Sequence, residues 1–183
     1  PERWGHSVLH CPYCHGYEIC GGEIGLLGGH AMSAFMAGLL ADWGQVTLFA
    51  HGMTLEPDEI ATLQRRGVQV ETEQVVALDG DAPQLSGARL ADGRHIDLRA
   101  LFVTTRQQMG SPLVEQLGCV LDESPVGVLV RVDAQKQTTV PGVYAAGDAT
   151  VMGNITLASS EGVRAGVSIH HALVAEDAAP KAA

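Results

Sequence analysis

Two cysteines near the start of the chain are the side chains best suited to chemistry. Cys11 and Cys14 are separated by two residues, so oxidation can join them in a small disulfide ring. The thiolate is the attacking species in such reactions, and His15 follows Cys14 directly. Its imidazole can accept a proton from one thiol and return it to a leaving thiolate. This segment predicts a redox-active pair, with Cys11, Cys14 and His15 as catalytic residues.

Other interpretations of these cysteines stay open. Cys11, Cys14 and Cys20, together with His10 or His15, could hold zinc. Structural zinc sites usually use two separated pairs of ligands, however, and no second pair follows downstream. We therefore predict no metal site.

Buried, inert thiols are another possibility, and we favour it for Cys20 and Cys119. Glutaredoxins also contain Cys-Pro-Tyr-Cys, but their fold needs a helix that begins inside this tetrad. Glycines at positions 16, 21 and 22 would end such a helix early, which argues against that fold.

A glycine-rich turn further along predicts a nucleotide-binding architecture. In the fingerprint G-x-G-x-x-G, the glycines make the turn, admit the pyrophosphate and allow close packing. Gly28 and Gly29 begin such a turn and the small Ser33 fits its end, but His30 occupies the second glycine position and obstructs the pyrophosphate. About 20 residues further along, Asp or Glu would bind the ribose of NAD and Arg the ribose phosphate of NADP, but this chain has His51 there. The nucleotide site is therefore expected to be weak or vestigial.

These residues need regular elements to position them. Apolar strands are predicted at residues 23–28 and 45–50, with an apolar helix between them at 31–43, the βαβ pattern of a parallel sheet. The sequence further predicts helices at 57–66, 111–118 and 157–174, strands at 68–70, 100–104, 127–132 and 143–146, and a hairpin at 88–98. A domain boundary is placed between residues 106 and 107, where polar residues and glycine interrupt the apolar pattern.

The composition is that of a packed protein with no affinity for nucleic acid. Of 183 residues, 46% are hydrophobic and 17% charged, which argues against disorder. The net charge of −10 disfavours a phosphate backbone as partner. No apolar run approaches the roughly 20 residues that span a bilayer, and no signal peptide is visible, so we expect a cytoplasmic protein without membrane contact. Because the chain begins with Pro1, we expect it to be part of something longer.

Four features, in this order, resemble the C-terminal two-thirds of thioredoxin-reductase-like flavoproteins. They are Cys-Pro-Tyr-Cys, the glycine turn at Gly28, the segment Thr139-Val-Pro-Gly-Val-Tyr-Ala-Ala-Gly147-Asp148, and a final helix of small residues. The resemblance implies an α/β fold. Residues 1–106 would form a Rossmann-like NAD(P)-binding domain that carries the redox motif, and residues 107–183 the C-terminal part of an FAD-binding domain whose N-terminal segment is absent.

The resemblance also implies the flavin contacts. In that family, the segment matching Ala145–Ala149, which includes Gly147, closes on FAD, and the residue matching Asp148 hydrogen-bonds the ribityl chain. The stretch matching Gly153, Asn154 and Ile155 lies beside the flavin ring.

The implied function is an FAD-dependent dithiol/disulfide oxidoreductase. Cys14 would face the flavin and Cys11 would attack the external substrate, either a thioredoxin-like protein or a small-molecule dithiol or disulfide. Family members are usually homodimers.

The chain also departs from the commonest pattern of that family. Thioredoxin reductases commonly carry an acidic residue where His15 stands and arginines where His51 and Gly52 stand. The string Cys-Pro-Tyr-Cys-His-Gly-Tyr-Glu is similar to a branch of small-molecule dithiol oxidases, in which FAD passes electrons from a dithiol to oxygen. The expected cofactors are FAD and, weakly, NADP. A non-catalytic piece, or one half of a split flavoprotein that cannot hold FAD alone, is a further alternative.

Overall fold

The computed structural model describes residues 1–19 and 21–180. The chain divides into two compact units, Pro1–Thr105 and Arg106–Ala183. This division falls one residue before the boundary expected from the sequence. The nucleotide and flavin roles assigned to the two parts stay predictions.

The first unit is built on a five-stranded sheet whose strands all run parallel, in the order β1-β8-β2-β3-β4. A second, three-stranded antiparallel sheet has the order β5-β6-β7. The elements are β1 (Val8–Leu9), α1 (Pro12–His15), β2 (Glu23–Leu27), α2 (Ser33–Leu40), β3 (Gln45–Phe49), α3 (Pro57–Arg65), β4 (Gln69–Glu71), β5 (Val75–Asp79), β6 (Gly87–Leu90), β7 (His95–Asp97) and β8 (Ala100–Val103).

Apolar side chains cover both faces of the parallel sheet. On β2, Ile24 and Leu26 pack with α2 and α3, whereas Leu27 packs on the other face with residues of the antiparallel sheet. On β8, Phe102 packs on the same face as Ile24 and Leu26, and Leu101 packs on the opposite face with Leu27. Because both faces are buried, the strands read as continuous apolar runs rather than as alternating ones. The predicted βαβ unit and α/β fold class are confirmed.

Helix α2 is shorter than the predicted span of 31–43. Its start is set by a turn in which the N–H of Ser33 donates to the carbonyl of His30 at 2.9 Å. After Leu40 the chain turns again, and the N–H of Trp43 donates to the Leu40 carbonyl. Apolar composition alone did not indicate where α2 begins and ends, because Ala31 and Met32 before it and Ala41 and Trp43 after it are also apolar.

The second unit contains a hairpin and a long helix. Its elements are α4 (Leu113–Gln116), β9 (Leu121–Ser124), β10 (Gly127–Val130), a 3₁₀ turn at Gly147–Ala149, and α5 (Ile155–Ala178). The strand predicted at 143–146 is wrong. These residues meet a neighbouring loop at a single bridge, between Gln137 and Tyr144. Two hydrogen bonds accompany it, from the Thr138 N–H to the Val143 carbonyl and from the Ala145 N–H to the Lys136 carbonyl. Among the described residues this isolated bridge does not extend into a strand.

Helix α5 exposes most of its apolar residues. Of its side chains, only Ala165 is buried among the residues that the structure describes. The exposed apolar residues are Ile155, Leu157, Val163, Val167, Ile169, Leu173 and Val174. Within residues 1–19 and 21–180, no helix combines the length with the apolar character needed to cross a bilayer.

Candidate functional site

The cysteine pair sits on a single helical turn between the edge strand β1 and the central strand β2. Cys11 precedes α1, and its carbonyl accepts the N–H groups of Cys14 and His15, each at 3.2 Å. Pro12 at the first helical position presets the backbone for this turn. The helix ends at Gly16, as the glycine pattern predicts. The turn folds Cys14 back towards Cys11 and places His15 directly after it.

Aromatic rings surround this turn. Tyr13 meets the ring of Trp43 edge-on, with the ring centres 5.7 Å apart, and Trp4 stacks on His10 at the same separation. Contacts of this type contribute roughly 0.5–1.5 kcal/mol each. They tie the redox turn to the C-terminal end of α2 and to the chain before β1.

Both sulfurs are free thiols, and the surroundings of Cys14 shift its pKa. Cys11 is half-buried and Cys14 is exposed. A hydrogen bond to Cys11, followed by partial burial and the negative charges of Cys11 and Glu18, raises the pKa of the Cys14 thiol to about 11. Cys14 therefore keeps its proton at neutral pH. Its S–H can stabilise a thiolate on Cys11, which favours Cys11 as the attacking sulfur.

The described residues contain no group of three or more His, Cys, Asp or Glu side chains placed to hold a metal ion. Cys20, which both the zinc interpretation and the expectation of a buried thiol invoke, lies outside the described residues. Cys119 is half-buried in the second unit and lies 3.6 Å from the Thr138 hydroxyl.

The glycine turn brings the end of β2 against the end of β3. The N–H of Gly28 donates to the Phe49 carbonyl at 2.7 Å, and a Cβ on Gly28 would lie 2.7 Å from the carbonyl oxygens of Phe49 and Ala50. Gly29 has φ +122°, which side-chain-bearing residues rarely adopt. Both glycines are therefore required by the backbone itself.

His30 folds over the beginning of α2. Its Nδ1 accepts the N–H of Met32 at 3.1 Å, and its own N–H donates to the hydroxyl of the fully buried Ser33 at 3.2 Å. In a dinucleotide site, N–H groups at this helix start would face the pyrophosphate. The His30 imidazole already accepts one of these N–H groups, that of Met32, which is therefore not available to a pyrophosphate.

A cavity of about 450 Å³ opens beyond this turn. It lies at the carboxyl ends of β2 and β3, where ligands of open parallel sheets bind. Sequence reasoning had missed Glu59, which reaches this cavity from α3. The signal that could have found it is the spacing of Glu56 and Glu59 around Pro57, which forms a reciprocal helix cap. The lining residues are Gly29, His30, Ala31, His51, Gly52, Met53, Thr54 and Glu59.

In the second unit, Gly147 and Asp148 lie in a tightly held 3₁₀ turn. The Thr150 hydroxyl donates to the Gly147 carbonyl at 3.0 Å, and the side-chain amide of Gln107 donates to the Asp148 carbonyl. Asp148 is exposed, and within the described part of the chain no hydrogen bond reaches its carboxylate. An exposed carboxylate on a fixed backbone fits the hydroxyl groups of a ribityl chain.

Sequence reasoning also missed Gln107. Its backbone pairs with β10, and its N–H donates to the Val126 carbonyl at 2.8 Å. Gly127 permits this approach, because a Cβ there would overlap the Gln107 backbone. The Gln107 Oε1 is buried and has no hydrogen-bond partner in the described chain, an arrangement that typically costs about 1–3 kcal/mol.

The remaining predicted flavin residues follow the 3₁₀ turn along the chain. Asn154 caps α5, and its side-chain oxygen accepts the N–H of Leu157 at 3.0 Å. Gly153 is exposed and Ile155 is 83% exposed, so an apolar surface is open beside the turn. This stretch can offer a flat ring system an apolar contact. It holds no cluster of cations for a pyrophosphate.

Comparison with known proteins gives a consistent result. The family model described as "Pyridine nucleotide-disulphide oxidoreductase" matches residues 28–176. An alkyl hydroperoxide reductase component of Xanthomonas campestris pv. phaseoli is 31% identical over 184 residues, which is 92% of this chain and 33% of that protein. Thioredoxin reductase sirT of Leptosphaeria maculans is 27% identical, over 98% of this chain and 59% of that protein.

Among solved structures, an oxidoreductase from Agrobacterium tumefaciens is 39% identical with a TM-score of 0.88. The match covers 94% of this chain and 58% of that one. The chain thus spans between a third and three-fifths of the length of the relatives that it matches here.

Proposed function

The chain belongs to the pyridine nucleotide-disulphide oxidoreductase family, and from this premise we propose that it carries the redox cysteines of an FAD-dependent dithiol/disulfide oxidoreductase of thioredoxin-reductase type. The observation that carries the proposal is the pair of free thiols, Cys11 and Cys14, on one helical turn. A buried structural pair would not leave Cys14 exposed.

The chemistry of the pair follows from the two sulfurs. The Cys11 thiolate attacks a substrate disulfide, forms a mixed disulfide and releases one substrate thiolate. Cys14 then attacks the Cys11 sulfur, which closes the Cys11–Cys14 disulfide and releases the second substrate thiol. Because the pKa of Cys14 is raised to about 11, this second step needs a base, and the adjacent His15 supplies it. Two electrons pass to the substrate, and the reverse sequence oxidises a dithiol.

A bound flavin would supply or accept the electron pair that regenerates the cysteines. Gly147 and Asp148 would hold its ribityl chain, and Gly153, Asn154 and Ile155 would lie beside its ring. Cys14, the more exposed thiol, would be the one that faces the flavin. These assignments are supported by the free carboxylate of Asp148 and by the open apolar surface at Ile155.

The proposed substrate is a thioredoxin-like protein or a small-molecule dithiol or disulfide. In its full-length form the protein would be a homodimer and would work in the cytoplasm, where thiols are kept reduced. Neither nucleic acid nor a membrane is a proposed partner.

The proposal is tested by giving the flavin-loaded protein a dithiol without oxygen and following the loss of flavin absorbance. We expect the wild type to bleach and Cys14→Ser to lose bleaching by more than about 100-fold, because one sulfur cannot form the internal disulfide. Cys119→Ser is the matched control, since this thiol lies in the other unit, and it should bleach as the wild type does. Normal flavin bleaching by Cys14→Ser would contradict the assignment of Cys14 to the redox pair.

A second candidate is an oxidase of small dithiols that uses oxygen rather than NADPH. It is favoured by His30 over the helix start and by the absence of a cation among the described residues that line the nucleotide cavity. We expect dithiol-dependent oxygen consumption with little NADPH oxidation. Fast NADPH oxidation at micromolar cofactor would contradict it.

A third candidate is a piece that cannot hold FAD by itself. The visible spectrum of the purified 183-residue chain decides this point. A stoichiometric flavin band would refute it, whereas a colourless protein would support it.

A further inference from the structure

Trp43, in the turn that follows α2, meets the chain around the redox turn through both its ring and its backbone. We propose that Trp43 is the positioning residue of the cysteine pair, because its indole holds the turn in the shape that favours the Cys11–Cys14 disulfide. The inference rests on the proposed function, in which these cysteines form a redox pair. It deepens that function by naming a residue outside the pair on which the disulfide depends.

Gly16, at the end of the redox turn, packs against the Trp43 indole. Its backbone angles, φ −60° and ψ −36°, are those of an ordinary helix and are open to any residue. Space is what excludes a side chain. A Cβ on Gly16 would lie 2.7 Å from both Cε2 and Nε1 of Trp43, and 2.5 Å from the Pro12 carbonyl oxygen. Because Gly16 is buried, the indole covers the backbone of the turn closely at this point.

Tyr13, between the two cysteines, meets the same indole. The two rings cross at 87° with their centres 5.7 Å apart, the edge-to-face arrangement that aromatic pairs favour. Tyr13 is otherwise turned to solvent, with 77% of its surface exposed, so the contact with Trp43 restrains a side chain that would rotate freely. One indole therefore restrains both the residue between the cysteines and the glycine that ends the turn.

Trp43 is itself anchored in the first unit. Its partly buried side chain packs against the core cluster that contains Ile24 and Leu40. Its N–H donates to the Leu40 carbonyl at 2.9 Å, and its carbonyl accepts the N–H of Gly21 at 2.6 Å. Gly21 lies where the chain returns from the redox turn to β2. Trp43 thus connects the redox turn, and the chain that leaves it, to the core beneath α2.

A restrained turn favours the disulfide for an entropic reason. Two thiols three residues apart can close a ring only while the turn keeps them neighbours. Conformations in which the turn opens are available to the dithiol but not to the disulfide. A loose turn therefore lowers the effective concentration of one sulfur at the other. Contacts that hold the turn closed remove the open conformations, which shifts the equilibrium towards the disulfide.

The test equilibrates the 183-residue chain with mixtures of oxidised and reduced glutathione. Oxidised glutathione takes two electrons and two protons from Cys11 and Cys14, so that their disulfide forms and two molecules of reduced glutathione are released. Alkylation of the remaining thiols, followed by mass spectrometry, gives the equilibrium constant. We expect Trp43→Leu, which keeps an apolar side chain against the core, to lower this constant at least about threefold. Trp43→Phe keeps a ring for Tyr13 and should lower it less.

Val70→Ala is the matched control, which separates positioning from a general loss of stability. Val70 packs against the same core but lies on β4, at the edge of the sheet opposite β1. This variant should lower the free energy of unfolding in urea and leave the glutathione constant at its wild-type value. The role of Trp43 would be overturned by a fall of less than about threefold in Trp43→Leu, or by an equal fall in Trp43→Phe or Val70→Ala.

Tyr13→Leu replaces Trp43→Leu if that variant does not fold. Tyr13 is exposed, so its replacement leaves the core intact while it removes the same ring contact from the other partner. We expect the glutathione constant to fall at least about twofold. A constant that falls by less would overturn the proposal.

The inference and the proposed function can be told apart in this experiment. If the wild type forms no Cys11–Cys14 disulfide at any ratio of the two glutathiones, the proposed function is refuted and the inference falls with it. A disulfide that forms with the same equilibrium constant in the wild type and the Trp43 variants would refute the inference alone.

Discussion

Cys11 and Cys14 differ by more than their order along the chain. The hydrogen bond to Cys11 and the nearby charge of Glu18 raise the pKa of Cys14, so Cys14 should become reactive only well above neutral pH. We expect iodoacetamide to modify Cys11 before Cys14 between pH 7 and 9, which mass spectrometry of the labelled peptides can measure. Labelling of Cys14 should rise only as the pH approaches about 11.

The variant Cys11→Ala tests the cause of this difference. Without the Cys11 sulfur, the largest contribution to the raised pKa is gone, so Cys14 should label at a lower pH. Cys119→Ala is the control and should leave the labelling of Cys14 unchanged. Preferential labelling of Cys14 at pH 7 would contradict the assignment of Cys11 as the attacking sulfur.

Single residues were predictable from the sequence where their neighbours along the chain define them. Gly28 was identified from its place between a strand and a helix, and the structure shows why no larger residue fits there. Glu59 and Gln107 were not identified, because their roles depend on contacts with distant parts of the chain. Gln107 meets Asp148 across 41 residues, and no local pattern encodes such a contact.

At the scale of elements, α5 is joined to the chain before it by an ion pair. Glu161 on α5 pairs with Lys136 and lies 3.3 Å from the Thr150 hydroxyl, next to the turn at Gly147. The hydrogen bond from Lys136 is the main reason that the pKa of the Glu161 carboxyl lies below its usual value. A carboxyl of this kind stabilises the folded state above its unfolded pKa, and this contribution disappears as the pH falls through its lower folded pKa.

We therefore expect Glu161→Gln to lower the free energy of unfolding at pH 7, as measured by urea titration. The difference from the wild type should begin to shrink below about pH 4, as the carboxyl of the unfolded wild-type chain becomes protonated, and should disappear once the pH falls below the lower folded pKa. Glu176→Gln on the same helix is the control and should show little effect at either pH. A difference that stays constant from pH 7 to pH 3 would show that the charge of Glu161 is not the cause.

Elements differed in how well the sequence predicted them. The strands and helix of the βαβ unit were confirmed, because continuous apolar runs with a glycine turn between them indicate a buried parallel sheet. The residues 143–146 have the same apolar character but meet only a loop, so they form no strand. Helix α5 extends beyond the predicted 157–174 at both ends. Asn154 caps it earlier than predicted, and no proline or glycine follows residue 174 until Pro180, so the helix continues to Ala178.

At the scale of the whole molecule, helix α5 leaves a series of apolar side chains exposed. Val163 is 67% and Val167 is 50% exposed, and surfaces of this kind bind other apolar groups. We expect the 183-residue chain to enhance the fluorescence of a hydrophobic dye. The double variant Val163→Glu/Val167→Glu should reduce this signal by at least about twofold.

The matched control for this experiment is Val76→Glu, which charges an exposed valine of the first unit. It should leave the dye signal near that of the wild type. If both variants lowered the signal equally, the dye would not be reporting on α5.

The order of the strands has a consequence for how the redox segment can move. Strand β1, just before Cys11, is a two-residue edge strand that pairs with β8 through Val8 and Leu9 and through a bond from the Leu101 N–H to the Ser7 carbonyl. Strand β2, after the segment, is bonded on both sides along its length. Breaking the short pairing therefore requires less energy than breaking the centre of the sheet, so β1 should open locally more often than β2. Amide hydrogens of β2 should exchange with solvent among the slowest in the first unit and those of β1 much faster. The redox turn therefore joins a weakly paired edge strand to the most firmly paired strand of the sheet.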